Sequence, residues 1–480
     1  MITRLEVDGF KSLREFAVDL EPLTVFIGPN SAGKSNILDA LALLSRLSSM
    51  PIEEAFRQGR GRAIDQFTRR GGEAGSKIRF AVELFVPQGA TEEASSPVSP
   101  NRVRYELSIE RRAAASGVER LTVESESLRV CERATDRWVA SHPSVATLVE
   151  YGEGARDVLR QVAGAARERR VVLNASNMGK SKEGLVPSTH TAVAAHAAGL
   201  SKFRVNFALP KDTLNKLDAL KGKLNLPDRD AVISHVVSEG AKLLGFIHGD
   251  AKDEIEAAAG ELASYRLIHL DSARLRDPSE RLGSDTLAPD ASNLPTVLVN
   301  LPGSTLGAIR VDLVSLVPGI STFEIVAEGD AFRIDFELSG GERLPARLVS
   351  DGTLRMLALL TALRAAPRAA VIGVEEPENG VYPGRLRKLL DYLREIAAEG
   401  GESDAPPTQL ILTTHSPVVL AALRARPSHL RFVDLVRRDG QLVTRARTVG
   451  AATATDRGKS AISLREIDEL LHAADSEIGA

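Results

Sequence analysis

Two kinds of apolar pattern recur along the chain. Leu23-Thr24-Val25-Phe26-Ile27, Ala369-Ala370-Val371-Ile372-Gly373-Val374 and Gln409-Leu410-Ile411-Leu412-Thr413 are short, nearly continuous apolar runs, the pattern of strands buried on both faces. Residues 77–87, 102–112 and 118–130 instead alternate apolar and polar positions, which predicts antiparallel strands with one solvated face. Apolar residues fall at helical spacing in Asn36–Leu44 and again in Met356–Leu363. From about 141 to 264 the chain turns alanine-rich with a helical period, which predicts a mainly helical insertion. The pattern therefore divides an α/β protein into an N-terminal lobe (1–140), a helical insertion or lid (141–264), a C-terminal lobe (265–450) and a C-terminal helix and tail (451–480).

Composition narrows the classes without choosing among them. At 480 residues the chain is too long for one compact core, so several domains or one domain with a large insertion are expected. A net charge of −3 gives no global argument for nucleic acid, and any such surface has to be local. The single cysteine, Cys131, excludes an intrachain disulfide framework and a multi-cysteine zinc site, and it fits a reducing cytoplasm. No run of about 18 uncharged apolar residues exists to span a membrane. The acid-bearing start, Met1 to Asp8, reads as a strand and not as a signal peptide.

The chemistry sits where the buried runs end. Gly28-Pro29-Asn30-Ser31-Ala32-Gly33-Lys34-Ser35 matches G-x-x-x-x-G-K-[ST] between a strand and a helix, the geometry that turns backbone N–H groups onto phosphate oxygens. Asn30, Gly33, Lys34 and Ser35 are thus the expected nucleotide-binding residues, with Lys34 on the β- and γ-phosphates and the Ser35 hydroxyl on Mg²⁺. The run Ala369–Val374 ends in Glu375-Glu376-Pro377-Glu378-Asn379. A carboxylate at a strand end beside a phosphate loop suits a hard cation, which assigns Glu375 to the metal. The next one, Glu376, is placed to orient and deprotonate the attacking water. His415, after the third run, is placed to contact the γ-phosphate. Ser350 and Gly352 open the helical run that leads to the acidic strand, so that N–H groups and a hydroxyl face an anion. Leu338-Ser339-Gly340-Gly341-Glu342 looks more like an ABC-type signature, but it lies between two extended runs and reads as a hairpin turn.

These elements, in this order, resemble the RecF/SMC-like branch of ABC-type ATPases, and within it the stand-alone bacterial RecF-like "AAA" ATPases of DNA repair and anti-phage systems. The resemblance covers residues 1–90 and about 265–450. It includes Phe10-Lys11-Ser12, which adds Lys11 to the nucleotide-binding set, and Pro289-Asp290-Ala291-Ser292-Asn293-Leu294, with Ala291 where that family carries Gly. It implies a P-loop NTPase of ABC/SMC-head type, with a mixed sheet plus an antiparallel lobe, using ATP and Mg²⁺. It also implies a homodimer in which each ATP lies between Lys34 of one subunit and Ser350 of the other. Glu375 stands where transport-type ABC proteins carry Asp.

Inside the insertion, Lys202-Phe203-Arg204-Val205-Asn206-Phe207-Ala208-Leu209 alternates apolar and polar residues ahead of two helical runs, so that 201–246 resembles a ribbon-helix-helix unit. Its polar face suits DNA, and a solvated lid explains the same pattern. No acidic cluster with nuclease spacing follows His415, so an effector such as a nuclease would be a separate protein. The sequence thus points to a cytoplasmic ATP-driven switch acting on DNA or on a partner in repair or defence. Two other readings stand beside it: a regulator in which ATP gates DNA binding, and a transporter ATPase subunit. The Phe-Lys-Ser element, Glu375 and the large insertion count against the transporter.

Overall fold

The nearly continuous apolar runs pair as parallel strands, because a strand apolar on both faces must be covered on both. The computed structural model describes residues 1–86, 101–113, 118–143, 145–151, 157–164, 168–174, 181–187, 190–197, 202–204, 250–282, 286–365, 369–399, 408–450 and 461–478. Among them a seven-stranded sheet runs in the order Tyr265–Ile268, Val371–Glu375, Gln409–Thr414, Leu23–Ile27, Leu430–Arg438, Gln441–Val449, Ala461–Ile462. The first five strands are mutually parallel. Leu23–Ile27 shows why its run is apolar throughout: Phe26 enters one core, while Leu23, Val25 and Ile27 enter the other. Helix Lys34–Leu47 covers the first face through Ile37, Leu38 and Leu41. Helices Asp351–Arg364 and Pro383–Glu399 cover the second through Leu354, Leu357, Leu386 and Leu389.

The alternating runs form a nine-stranded antiparallel sheet, from Phe16–Asp19 and Ile2–Asp8 through Lys77–Phe85, Arg102–Ala113 and Glu119–Val130 to Lys202–Arg204. Within the insertion the described residues supply strands as well as helices. Asp157–Gly164, Glu168–Asn174, Ser181–Pro187 and Lys202–Arg204 extend the sheet, and helices enter at Ala192–Ala197 and Asp250–Ala263. The backbone edge offered by Glu119–Val130 recruits Asp157–Gly164, a tertiary opportunity that outweighs the weak helical bias of alanine. Of the ribbon-helix-helix-like segment, Lys202–Arg204 pairs with Ser181–Pro187 in the same chain, and the rest, from 205 to 246, lies outside the described residues.

The signature look-alike is a hairpin turn: Ala331–Leu338 and Arg343–Pro345 pair antiparallel, with Gly341 at φ 84 between them. Ser350, by contrast, caps the helix Asp351–Arg364, its side chain accepting the Thr353 N–H.

Arg102 ties Asp136, which caps the short helix Arg137–Ser141, to the strand Ile2–Asp8 within the antiparallel lobe. Its fully buried guanidinium donates to both Asp136 oxygens, at 2.7 and 2.9 Å, and to Thr3 Oγ1 at 2.8 Å. Removing one partner strands a buried charge. Asp136→Ala should therefore cost about 3–5 kcal/mol in chemical denaturation, and the paired change Arg102→Met with Asp136→Leu should recover most of it. Equal losses in the single and paired variants would contradict this account.

Candidate functional site

Strand Leu23–Ile27 delivers the loop Gly28–Gly33 to the start of helix Lys34–Leu47, whose first N–H groups have no intrahelical acceptor. Close approach dictates both fixed glycines. A Cβ on Gly28 would lie 2.0 Å from the Val433 carbonyl oxygen, and one on Gly33 (φ 95) would lie 2.0 Å from Thr444 Oγ1. The Thr444 hydroxyl donates to the Ala32 carbonyl at 3.0 Å and meets Ser12 Oγ at 2.6 Å, while Asn36 Nδ2 donates to Ser12 Oγ at 2.7 Å. Ser12 and Thr444, far apart in sequence, thus buttress the loop from outside. Lys34 folds back to donate to the Gly28 and Pro29 carbonyls at 2.7 and 2.8 Å. Burial lowers its pKa, against the pull of Glu376 and Glu378. An anion in the loop would offer this half-desolvated ammonium a stronger partner.

Opposite the loop stands the acidic turn. A cleft of about 190 Å³ is lined by Asn30, Gly33, Lys34 and Ser35 on one side and by Glu376 and Thr413 on the other. Glu376 has φ 46, a left-handed conformation that a non-glycine residue adopts at some cost. The strain is held in place by its N–H, which donates to the Thr413 carbonyl at 2.9 Å. Its carboxylate is fixed at both oxygens, with His415 Nδ1 3.0 Å from Oε1 and Asn379 Nδ2 donating to Oε2 at 2.7 Å. Glu376 and His415 are therefore brought together as the sequence order suggests. Asn379 is a partner that sequence reasoning missed, although its place three residues after Glu376 in a turn is the available signal.

Glu375 faces the other way around Ser35. Its Oε2 accepts from Arg60 Nη2 at 2.7 Å and meets His269 Nδ1. Burial alone would raise its pKa, but these two partners outweigh it and hold the carboxyl down at about 2. The same contact raises the pKa of His269. Oε1 is buried and has no hydrogen-bond partner among the described residues. An orphaned carboxylate oxygen beside a serine hydroxyl at a phosphate loop fits Mg²⁺, which takes few protein oxygens and completes its shell with phosphate and water. The Lys11 ammonium donates to Asp39 at 2.6 Å and lines a second cavity, of about 440 Å³, with Arg60 and His269.

Ser350 and Gly352 also lie outside that cleft. Ser350 is exposed, and Gly352 is packed so tightly that a Cβ would stand 1.7 Å from the Gly380 carbonyl oxygen. The glycine thus docks the start of the Asp351–Arg364 helix on the loop that follows the acidic turn.

A family model described as "AAA domain, putative AbiEii toxin, Type IV TA system" matches residues 23–421. Structural maintenance of chromosomes protein 1 of Schizosaccharomyces pombe is 32% identical over a matched stretch of 111 positions, gaps included, that covers 19% of this chain and 9% of that protein. The chain thus spans a small part of that relative's length. Among solved structures, an Smc head bound to the C-winged helix domain of ScpA is 13% identical with a TM-score of 0.46, covering 93% of this chain and 97% of that one. An Smc head domain with a coiled coil and joint from Pyrococcus yayanosii is 13% identical with a TM-score of 0.43, covering 99% of each chain.

The two glycine environments can be told apart by substitution. Gly352→Ala drives a methyl into backbone and should cost about 1–3 kcal/mol or more, read by chemical denaturation. Gly340→Ala, with nothing within 4 Å of its Cβ, should stay within about 0.5 kcal/mol of the parent. Equal losses at the two positions would refute the docking role of Gly352.

Proposed function

The chain belongs to this AAA-domain family, and we propose on that premise that it is an ATP-binding and ATP-hydrolysing molecular switch of the RecF/SMC-like type. One observation carries the reading: Glu376 is held at both oxygens, by His415 and Asn379, across the cleft from Lys34 and Ser35. A carboxylate so oriented, with no role in holding the phosphates, is suited to act on a water.

In this mechanism the loop amides and the start of helix Lys34–Leu47 bind the phosphates, and Lys34 exchanges its two carbonyl acceptors for phosphate oxygens. Ser35 and Glu375 would hold Mg²⁺, which when bound neutralises charge on the β- and γ-phosphates. Glu376 orients the attacking water and takes one proton as the water oxygen bonds to the γ-phosphorus and the bond to the ADP oxygen breaks. His415 steadies the base and lies where the γ-phosphate would be sensed.

The exposed Ser350 supports an ATP-sandwich homodimer in which it meets the nucleotide of a second copy. Closing and opening of that dimer would drive DNA, or a separate effector protein, in repair or defence. No helix among the described residues is long and apolar enough to cross a membrane. The lone Cys131, whose thiol burial pushes up to about 12, suits a reducing compartment, and we assign the protein to the cytoplasm.

Glu376→Gln should bind ATP as the parent does while hydrolysis falls by about 10²–10⁴-fold, and dimers should accumulate with ATP. Native turnover in this variant would remove the base assignment. Ser350→Arg should keep nucleotide binding in the monomer but abolish ATP-dependent dimerisation, measured by light scattering. Dimerisation at the parental ATP concentration would rule out the sandwich.

A further inference from the structure

One carboxylate of the acidic turn has no part in the chemistry above. Glu378 is 9% exposed, and burial raises its pKa. One oxygen, Oε1, accepts the Thr414 hydroxyl, and the other is buried without a hydrogen-bond partner among the described residues. Holding a carboxyl there costs more than an amide or an apolar group would. Its position therefore calls for a reason beyond packing.

Thr414 supplies that reason, because three parts of the site meet on it. Its hydroxyl accepts the Ser416 N–H at 3.0 Å, which sets the backbone on either side of His415. Its carbonyl accepts the Gly28 N–H at 3.3 Å, which fixes the first residue of the phosphate loop. The Gly28 carbonyl in turn accepts Lys34. The neighbours of Glu378 on both sides belong to the turn of the base: the Asn379 N–H donates to the Glu376 carbonyl at 3.0 Å, closing the turn that Glu378 sits in. Beside the His415–Glu376 contact and the Glu376 N–H on Thr413, the Thr414–Glu378 bond thus ties the turn that carries Glu376 to the one residue that also anchors Gly28.

We propose that Glu378 is a positioning residue that keeps the base-bearing turn in register with the phosphate loop through Thr414. The inference rests on the reading of Glu376 as the base. Loss of the tie lets Glu376 shift relative to the γ-phosphate while leaving the loop amides and Lys34 able to hold nucleotide. The signature of such a role is a fall in kcat at nearly constant KM, because a displacement of about 1 Å costs on the order of 10²-fold in a reaction governed by geometry.

The test uses the full chain and steady-state ATPase kinetics, with thermal melting to verify folding. Glu378→Ala and Thr414→Val should each lower kcat by roughly 10- to 100-fold with KM for ATP within about twofold. The double variant should be no worse than Thr414→Val, since both singles break one tie and Thr414→Val alone also loses the Ser416 N–H bond. Glu378→Gln retains an acceptor for the Thr414 hydroxyl and Thr414→Ser retains the donor, so each should restore kcat to within about threefold of the parent. If Glu378→Ala does not fold, the Thr414→Val and Thr414→Ser pair decides alone. Parental kcat in Thr414→Val, or additive losses in the double variant, overturns the proposal. Glu376→Gln run alongside separates the two failures: its inactivity beside an unaffected Glu378→Ala rejects only this inference, and its native turnover rejects the base assignment itself.

Discussion

The parallel register of three strands is the constraint on which the site depends. Gln409–Thr414 lies between Val371–Glu375 and Leu23–Ile27, with Thr413 opposite Glu375 and Thr414 opposite Ile27. All three strands point the same way, so all three release their next residues at one edge. The phosphate loop, the acidic turn and His415 are consequently neighbours although hundreds of residues separate the loop from the other two. A slip of one residue would exchange the two faces of a strand and send Phe26 into the wrong core. The apolar faces therefore hold the polar ends in place.

Charge at that edge is managed by division of labour. Glu375 is drawn toward Arg60 and His269, Glu376 toward His415 and Asn379, and Glu378 toward Thr414. Three carboxylates side by side would otherwise repel one another in a poorly solvated place. The separate partners turn them in different directions, which leaves Glu375 Oε1 without a hydrogen-bond partner among the described residues and holds the Glu376 carboxylate in one orientation. Lys34 faces the same cluster while bonded only to its own loop carbonyls among the contacts described.

The antiparallel sheet acts on the loop from the opposite side. Ser12, next to the strand Ile2–Asp8, and Thr444, in the strand Gln441–Val449, join by a hydroxyl contact behind Gly33. Lys11 holds Asp39, one turn beyond Ser35 on the helix that starts at the loop. Through these contacts the Phe-Lys-Ser element braces both the loop and the helix that follows it.

Local sequence determined the phosphate loop, the acidic turn, His415 and the true cap at Ser350, because each is a short motif whose flanks carry a strand or helix period. It also determined that Gly340 and Gly341 lie in a hairpin, since extended runs bound them on both sides. Only the tertiary structure decided that the alanine-rich stretch after 141 contributes strands from Asp157 onward, because the edge of Glu119–Val130 lies outside any local window. The same holds for Arg60 and His269 on Glu375, for Thr444 behind Gly33, and for Gly380 against Gly352. These contacts join residues distant along the chain, and a single sequence carries periodicity and turn chemistry but no record of which distant side chains meet. Chemistry that resides in one segment is legible there, whereas chemistry shared between segments exists only once the sheet has brought their ends together.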